Sequence, residues 1–170
     1  FKRLLVARFN LLPELRRRIG YEINMAKAGK EARIILKMNA LQDPAMIDEL
    51  YKASEAGVKI DLIVRGICCL IPNQPYSRNI RITRIVDSFL EHARVWYFHH
   101  GGKPLLFMGS PDWMRRNLYR RIEAVTPILD EDLKQQLIDM LVIQLKDNRK
   151  AGWVDENLNN VLKRNPKEEP

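Results

Sequence analysis

Between residues 13 and 64 the spacing of apolar side chains switches from helical to extended and back, and that alternation restricts the chain to few folds. Pro13 opens a run in which Leu15, Ile19, Ile23 and Ala26 fall on one helical face, and Gly29 closes it. Residues 33–37 (RIILK) read as a strand. Asp43 is an N-cap followed by Pro44 at the first helical position, and Ile47, Leu50, Tyr51 and Ser54 carry the turn spacing to Gly57. Residues 59–64 return to a strand, and a short apolar run, residues 4–9, precedes everything. Strands separated by helices through tight connections predict an α/β fold: a mixed, mostly parallel sheet with helices on its faces.

After Arg65 the texture changes. Residues 66–79 hold two prolines and no helical period, so they read as a loop of functional length. Residues 80–86 alternate like a strand. The runs 95–98 and 105–108 flank HHGGK and predict an antiparallel hairpin turning at Gly101-Gly102, with His99 and His100 exposed to solvent. Residues 122–129 form one more predicted strand. Asp130 then caps a helix in which Leu133, Leu137, Leu141 and Leu145 recur every four residues. The division expected is a folded domain over residues 1–150 and a polar, frayed tail over 151–170, closing in NPKEEP.

Composition excludes more than it selects. A chain of 170 residues buries a core without metals or disulfides. Its two cysteines, Cys68 and Cys69, are adjacent, which favours free thiols in a reducing compartment over a strained vicinal bridge. No clustered His/Cys spacing suggests zinc, and no apolar run approaches the ~20 residues of a bilayer span. Phe1 lies against the apolar run RLLVARF, so a piece of a longer protein is expected. The 29 Lys and Arg against 21 Asp and Glu predict an anionic partner. The glycine cradles GxxxxGK[ST] and GxGxxG are missing, as is a kinase catalytic loop, so side chains must hold any phosphates.

Those side chains concentrate between Asp87 and Glu123. His92 precedes the apolar run VWYF, and Gly109-Ser110-Pro111-Asp112-Trp113 is followed by Arg115, Arg116, Asn117, Arg120, Arg121 and Glu123. An imidazole titrating near pH 6.5 donates a proton or binds a phosphate oxygen, and planar guanidiniums suit phosphate better than a neutral substrate. Arg65 follows the strand DLIV and precedes a glycine, which places it at the carboxyl edge of the sheet, where α/β folds put reactive groups. Arg121 and Glu123 share one face of the strand predicted from 122, either around phosphate or as a structural ion pair. Ser110, Asp112 and Asn117 are candidates to shape the site by hydrogen bonds, and Lys37 and Asn39 to line the same edge.

Four blocks, LKMN (36–39), DPAMIDELYKASEAGVKIDLIVRGICCLIP (43–72), RIVDSFLEHARVWYF (84–98) and GSPDWMRRNLYRRIEAVTPILD (109–130), resemble the C-terminal part of the bacterial histidine-dependent polyphosphate kinases. The last block is also similar to the second motif of the phospholipase D-like superfamily. The resemblance implies a phospholipase D-like layered fold and reversible transfer of the terminal phosphoryl group of ATP to polyphosphate. It implies a phosphohistidine in a preceding domain, so that the chain alone is an inactive half-site. His92 then maps to the second active-site histidine, and Arg65 to an arginine on the nucleotide phosphates, with Arg121 a further phosphate ligand. Mg²⁺ is expected with ATP, and Glu123 is this chain's candidate to reach it. Expected partners are ATP or ADP, polyphosphate, upstream domains and a second copy in a homo-oligomer, without nucleic acid. The expected location is cytoplasmic, with membrane association of the full-length protein left open. Two alternatives stand beside this. One is a phospholipase D-like phosphodiesterase or nuclease, against which His92 is followed by Ala93 and Arg94 rather than completing an HxK motif. The other is a non-catalytic polyanion-binding module, supported by net charge alone.

Overall fold

The computed structural model describes residues 3–86 and 90–163. Residues 87–89 of the LEH block and the closing NPKEEP lie outside the described residues. In chain order the elements are β1 (Leu5–Val6), α1 (Leu11–Lys27), β2 (Arg33–Met38), α2 (Pro44–Glu55), β3 (Lys59–Val64), β4 (Ile80–Arg84), β5 (Val95–Phe98), β6 (Leu105–Gly109), α3 (Arg115–Tyr119), β7 (Ala124–Ile128), α4 (Glu131–Lys146), β8 (Gly152–Val154) and β9 (Asn160–Leu162). The strands form one sheet in the order β1-β7-β6-β5-β2-β3-β4-β8-β9.

The capping chemistry behaves as expected. Asp43 Oδ1 accepts from the Met46 N–H at 3.0 Å and Pro44 takes the first helical position. Asp130 Oδ1 does the same for Leu133 at 2.9 Å. Helix α1 starts at Leu11, ahead of the expected Pro13, because proline in the first turn sacrifices no helical hydrogen bond. It stops before Gly29, whose φ of 71° suits a residue without Cβ. The loop 66–79 is held against α2: Tyr51 Oη accepts from the Ile71 N–H at 2.8 Å, and Asn79 Nδ2 donates to the Ser54 carbonyl at 2.7 Å.

Period-two alternation divides the core between two faces of the sheet. Ile34, Leu36, Met38, Ile60, Leu62, Val64, Trp96 and Phe98 bury beneath α1 and α2, against Leu15, Ile19, Met46 and Leu50. Ile35, Ile63, Val95 and Leu106 bury on the other face around Leu141 of α4. Burying one such aliphatic side chain is worth ~1.5–3 kcal/mol. The leucine repeat of α4 is only partly used: Leu133 stays half-exposed.

Two expectations are corrected. The sheet is mixed but mostly antiparallel: among the named strands of the described residues only β2–β3 and β3–β4 run parallel, and the other strand pairings are antiparallel. Parallel neighbours need crossovers of about a dozen residues or more. Residues 99–104 alone join β5 to β6, and the pair docks antiparallel on β2. Secondly, residues 151–163 of the polar stretch fold rather than fray. Strand β8 pairs with β4 and β9 with β8, Ala151 and Val154 are buried, and Lys163 Nζ donates to Thr83 Oγ1 at 3.0 Å and to the Leu145 carbonyl at 3.2 Å. The turn between them is built on Asp155, whose carboxylate accepts from the Asn157 and Asn159 N–H groups at 3.0 and 2.7 Å. Turn chemistry of this kind has the same composition as a solvated tail.

Candidate active site

The strand directions bring separate sequence blocks to one edge. Parallel β2 and β3 deliver their carboxyl ends there, Lys37–Asn39 and Arg65. Strand β5 runs antiparallel to β2, with Val95 opposite Lys37, so the residues before it, Glu91 to Arg94, arrive at the same edge. Strand β6 ends there at Gly109 opposite Val125, placing Ser110 and Asp112 beside the start of β7.

Asp112 organises this edge. Buried in the loop after β6, its Oδ1 accepts from the backbone N–H groups of Asn39 and Ala40 at 2.8 and 3.2 Å. Trp113 locks the loop further: its N–H donates to the Ala40 carbonyl at 3.1 Å, and its carbonyl accepts from the Gln42 and Asp43 N–H groups, both at 2.8 Å. The Asp112 carboxylate also receives the Arg94 guanidinium, Nη2 to Oδ2 at 2.9 Å and Nε to Oδ1 at 3.2 Å. Arg94 Nη1 in turn lies 2.9 Å from both His92 Nδ1 and the His92 carbonyl oxygen. His92 itself is exposed at the surface.

Lys37 is buried at the end of β2, where its ammonium pairs with Glu91 and donates to Gln144 Oε1 of α4 at 2.9 Å. It therefore holds the segment before His92 to the sheet. A small cleft beside it is lined by Lys37, Asn39, Arg65 and Glu91. Arg65 is half-buried, and its guanidinium has no hydrogen-bond or ion-pair partner among the described residues. Gly66 follows because the backbone turns tightly against β2: its N–H donates to the Asn39 carbonyl at 2.8 Å, and a Cβ would sit 3.1 Å from that oxygen.

Next along the edge, Glu123 is buried and accepts from Ser110 Oγ and from Asn117 Nδ2, the latter at 2.5 Å. The shared strand face expected for Arg121 and Glu123 does not form. Strand β7 begins at Ala124, so strand alternation does not reach Arg121, which is exposed while Glu123 is buried. The structure gathers Ser110, Asn117 and Glu123 into one group, and Lys37, Asn39, Arg65, His92 and Asp112 into another. It leaves Arg121 outside both.

His99 and His100 stand at the opposite edge and are half-buried, not solvent-exposed. His100 stacks on Tyr21, ring centroids 4.0 Å apart, and its N–H donates to Glu22 Oε1 at 2.6 Å. The turn is otherwise as expected, with positive φ at Gly101 and Gly102. Both cysteines are free thiols, and burial pushes the Cys68 thiol up to about 11.

Arg94, Glu91 and Gln144 belong to the site and were not selected by the sequence reasoning. One signal points to an acid such as Glu91: a lysine inside an apolar strand requires a counter-charge. Gln144 has none, because its place follows from how α4 packs. Among the described residues no group of three or more His, Cys, Asp or Glu is arranged to hold a metal ion. The nearby carboxylates of Glu91, Asp112 and Glu123 are already engaged, so they do not fit a resident metal.

The sequence model of the family described as polyphosphate kinase C-terminal domain 2 matches residues 4–170. The polyphosphate kinase of Halalkalibacterium halodurans is 49% identical over 154 residues, covering 89% of this chain and 22% of that protein. That of Vibrio cholerae is 48% identical over 161 residues, covering 94% and 23%. The crystal structure of polyphosphate kinase from Porphyromonas gingivalis superposes with a TM-score of 0.97 at 56% identity, covering 100% of this chain and 26% of that one. Nuc from Salmonella typhimurium, a phospholipase D family member, matches with a TM-score of 0.57 at 13% identity over 86% of this chain and 96% of its own. That likeness shows the fold alone, and it is the phospholipase D-like fold expected from the sequence. The chain spans less than a quarter of the length of the curated relatives named here, at 22% and 23%. With a family match over nearly its whole length, the chain belongs to the polyphosphate kinases, in the part described as their C-terminal domain 2.

Proposed function

We propose that this chain is the C-terminal catalytic part of a polyphosphate kinase, one wall of a site that moves the terminal phosphoryl group of ATP reversibly onto polyphosphate. The observation that carries this reading is the convergence of its blocks on one sheet edge. There the Arg65 guanidinium has no partner among the described residues, and the His92 imidazole is exposed on a buried support. Arg65 offers a planar, permanently charged fork to phosphate oxygens, and preorganised donors of this kind act on the charge that develops in phosphoryl transfer. His92 places an imidazole within the same edge to donate to a phosphate oxygen.

The group that becomes phosphorylated is a histidine of a preceding domain, and the present edge faces it. Kinases generally use a metal with ATP. We assign Mg²⁺ to the nucleotide rather than to ligands of this chain. ATP, ADP, polyphosphate, the upstream domains and a second copy of the full-length protein are the proposed partners, and nucleic acid is not among them. No helix of the described residues is long and apolar enough to cross a membrane, and we place the protein in the cytoplasm.

The test is His92→Ala in the full-length enzyme, followed by single-turnover labelling with γ-labelled ATP and a thermal melt. Transfer is expected to slow by about 10²–10⁴-fold, with the melt unchanged because an exposed side chain contributes little core. Labelling and discharge at the wild-type rate would remove His92 from the mechanism.

A further inference from the structure

We propose that Arg94 is a positioning residue for His92, fixing the plane of the exposed imidazole at the sheet edge. The inference rests on the reading that His92 acts in the transfer, and it deepens that reading.

A guanidinium has five N–H donors and no acceptor, and all five can be assigned. Nε donates to Asp112 Oδ1 at 3.2 Å. One Nη2 hydrogen goes to Asp112 Oδ2 at 2.9 Å. With the Asn39 amide turned so that both of its ends are satisfied, the other Nη2 hydrogen goes to the Asn39 side-chain oxygen at 2.9 Å, and the amide nitrogen donates to the Glu91 carbonyl at 3.3 Å. The two Nη1 hydrogens go to the His92 carbonyl and to His92 Nδ1, each at 2.9 Å. A guanidinium cannot accept, so Nδ1 meets it as an acceptor at the shorter of the two ring contacts. Nη2 also lies 3.4 Å from His92 Nε2, so the guanidinium runs along the ring edge and touches both of its nitrogens.

The support is stiff where the histidine is not. The Arg94 and Asp112 side chains are 11% and 10% exposed, and Asp112 is held by two backbone N–H groups as well. His92 is exposed, so its ring has no packing of its own to set its orientation. A carboxylate at 112, rather than an amide, balances the buried guanidinium and accepts both of its inner donors.

The experiment uses the full-length enzyme with His92→Ala, Arg94→Ala, Arg94→Lys and the His92→Ala/Arg94→Ala double variant, read by single-turnover rate and by nucleotide KM. Arg94→Ala is expected to slow transfer by about 10–100-fold, the scale of a misplaced catalytic group, with KM nearly unchanged. It should cost nothing further once His92 is gone. Added guanidinium ion should restore part of the rate to Arg94→Ala and none to the double variant. Arg94→Lys keeps the charge beside Asp112, and hence the fold, but a single ammonium cannot span Asp112 and the ring, so it should be slow as well. Wild-type turnover in Arg94→Lys overturns the proposal even if Arg94→Ala does not fold. So does an equal cost of Arg94→Ala on both backgrounds, or a rise in KM at unchanged rate, which would make Arg94 a substrate ligand. A wild-type rate in His92→Ala instead overturns the role of His92 itself.

Discussion

The two ends of strand β2 carry the same kinds of side chain and use them in opposite ways. At the amino end Arg33 donates to Asp61 Oδ2 through Nη2 at 2.6 Å. There Glu22 of α1 accepts from the backbone N–H groups of Arg33 and His100 at 3.2 and 2.6 Å. These groups fasten α1 to the sheet and to the turn after β5. At the carboxyl end Asp112 and Arg94 also close on each other, but the chain they brace ends in His92, and Arg65 projects beside it unpaired among the described residues. Arginine, carboxylate and imidazole therefore do not make a site by being present. At the carboxyl end the guanidinium of Arg65 is left without a partner among the described residues, and that is what marks it as the candidate site.

Substitutions at matched positions sharpen this contrast. The largest effect is expected from Arg65→Lys in the full-length enzyme, which keeps the charge but loses the planar fork: transfer should fall about 10²–10³-fold, the cost of one preorganised donor. Arg33→Lys, the same exchange at the other end, should leave the single-turnover rate where it is. Equal rate losses in the two would dissolve the distinction.

Next in size is Glu22→Gln. Two N–H donors face this carboxylate, and an amide accepts from one while turning its own N–H₂ toward the other. Leaving such a buried donor unsatisfied costs about 1–3 kcal/mol, readable as a lowered denaturation midpoint with the transfer rate of the folded enzyme preserved. Burial pushes the Glu22 carboxyl above its ordinary range, and its N–H bonds from His100 and Arg33 oppose that shift.

The smallest effect concerns pH. Burial lowers the His100 imidazole below its ordinary 6.5, with the Arg18 and Arg17 charges adding to the shift. A depressed folded value means that its contribution to stability is present above pH 6.5 and is lost as pH falls through the folded value. His100→Asn, suited to the φ of 49° at this position, should remove that loss. The difference between pH 7.5 and 5.5 in chemical denaturation should then shrink. An unchanged pH difference would mean that His100 does not titrate with folding.

Much of the fold was legible because local signals and burial agree there. Caps at Asp43 and Asp130, glycines at 29 and 57, and apolar periods over α1, β2, α2 and β3 state the same structure twice. Illegible parts depend on partners distant in the chain. Strand β1 is two residues long and exists by pairing with β7, and the mostly antiparallel order follows from where the β5–β6 hairpin docks. At the candidate site, block resemblance and strand-end position point to Arg65, His92 and Asp112, and the fold brings these three to one sheet edge. The strand face shared by Arg121 and Glu123 is not legible because the strand period stops at the start of β7, at Ala124. Arg94 is not legible in the sequence because nothing in HAR distinguishes a brace from a surface charge until Asp112, 18 residues on, is folded beside it.

The hairpin β8–β9 matters to anyone shortening this protein. Cutting after Lys150, where the polarity of the sequence invites a cut, would strip β4 of its outer neighbour. It would also remove the Lys163 ammonium that ties Thr83 to the end of α4. An interior strand would become a bare edge with unpaired N–H and C=O groups, the geometry on which chains join one another strand to strand. The shortened protein would then be lost to self-association, and a missing activity would say nothing about its chemistry.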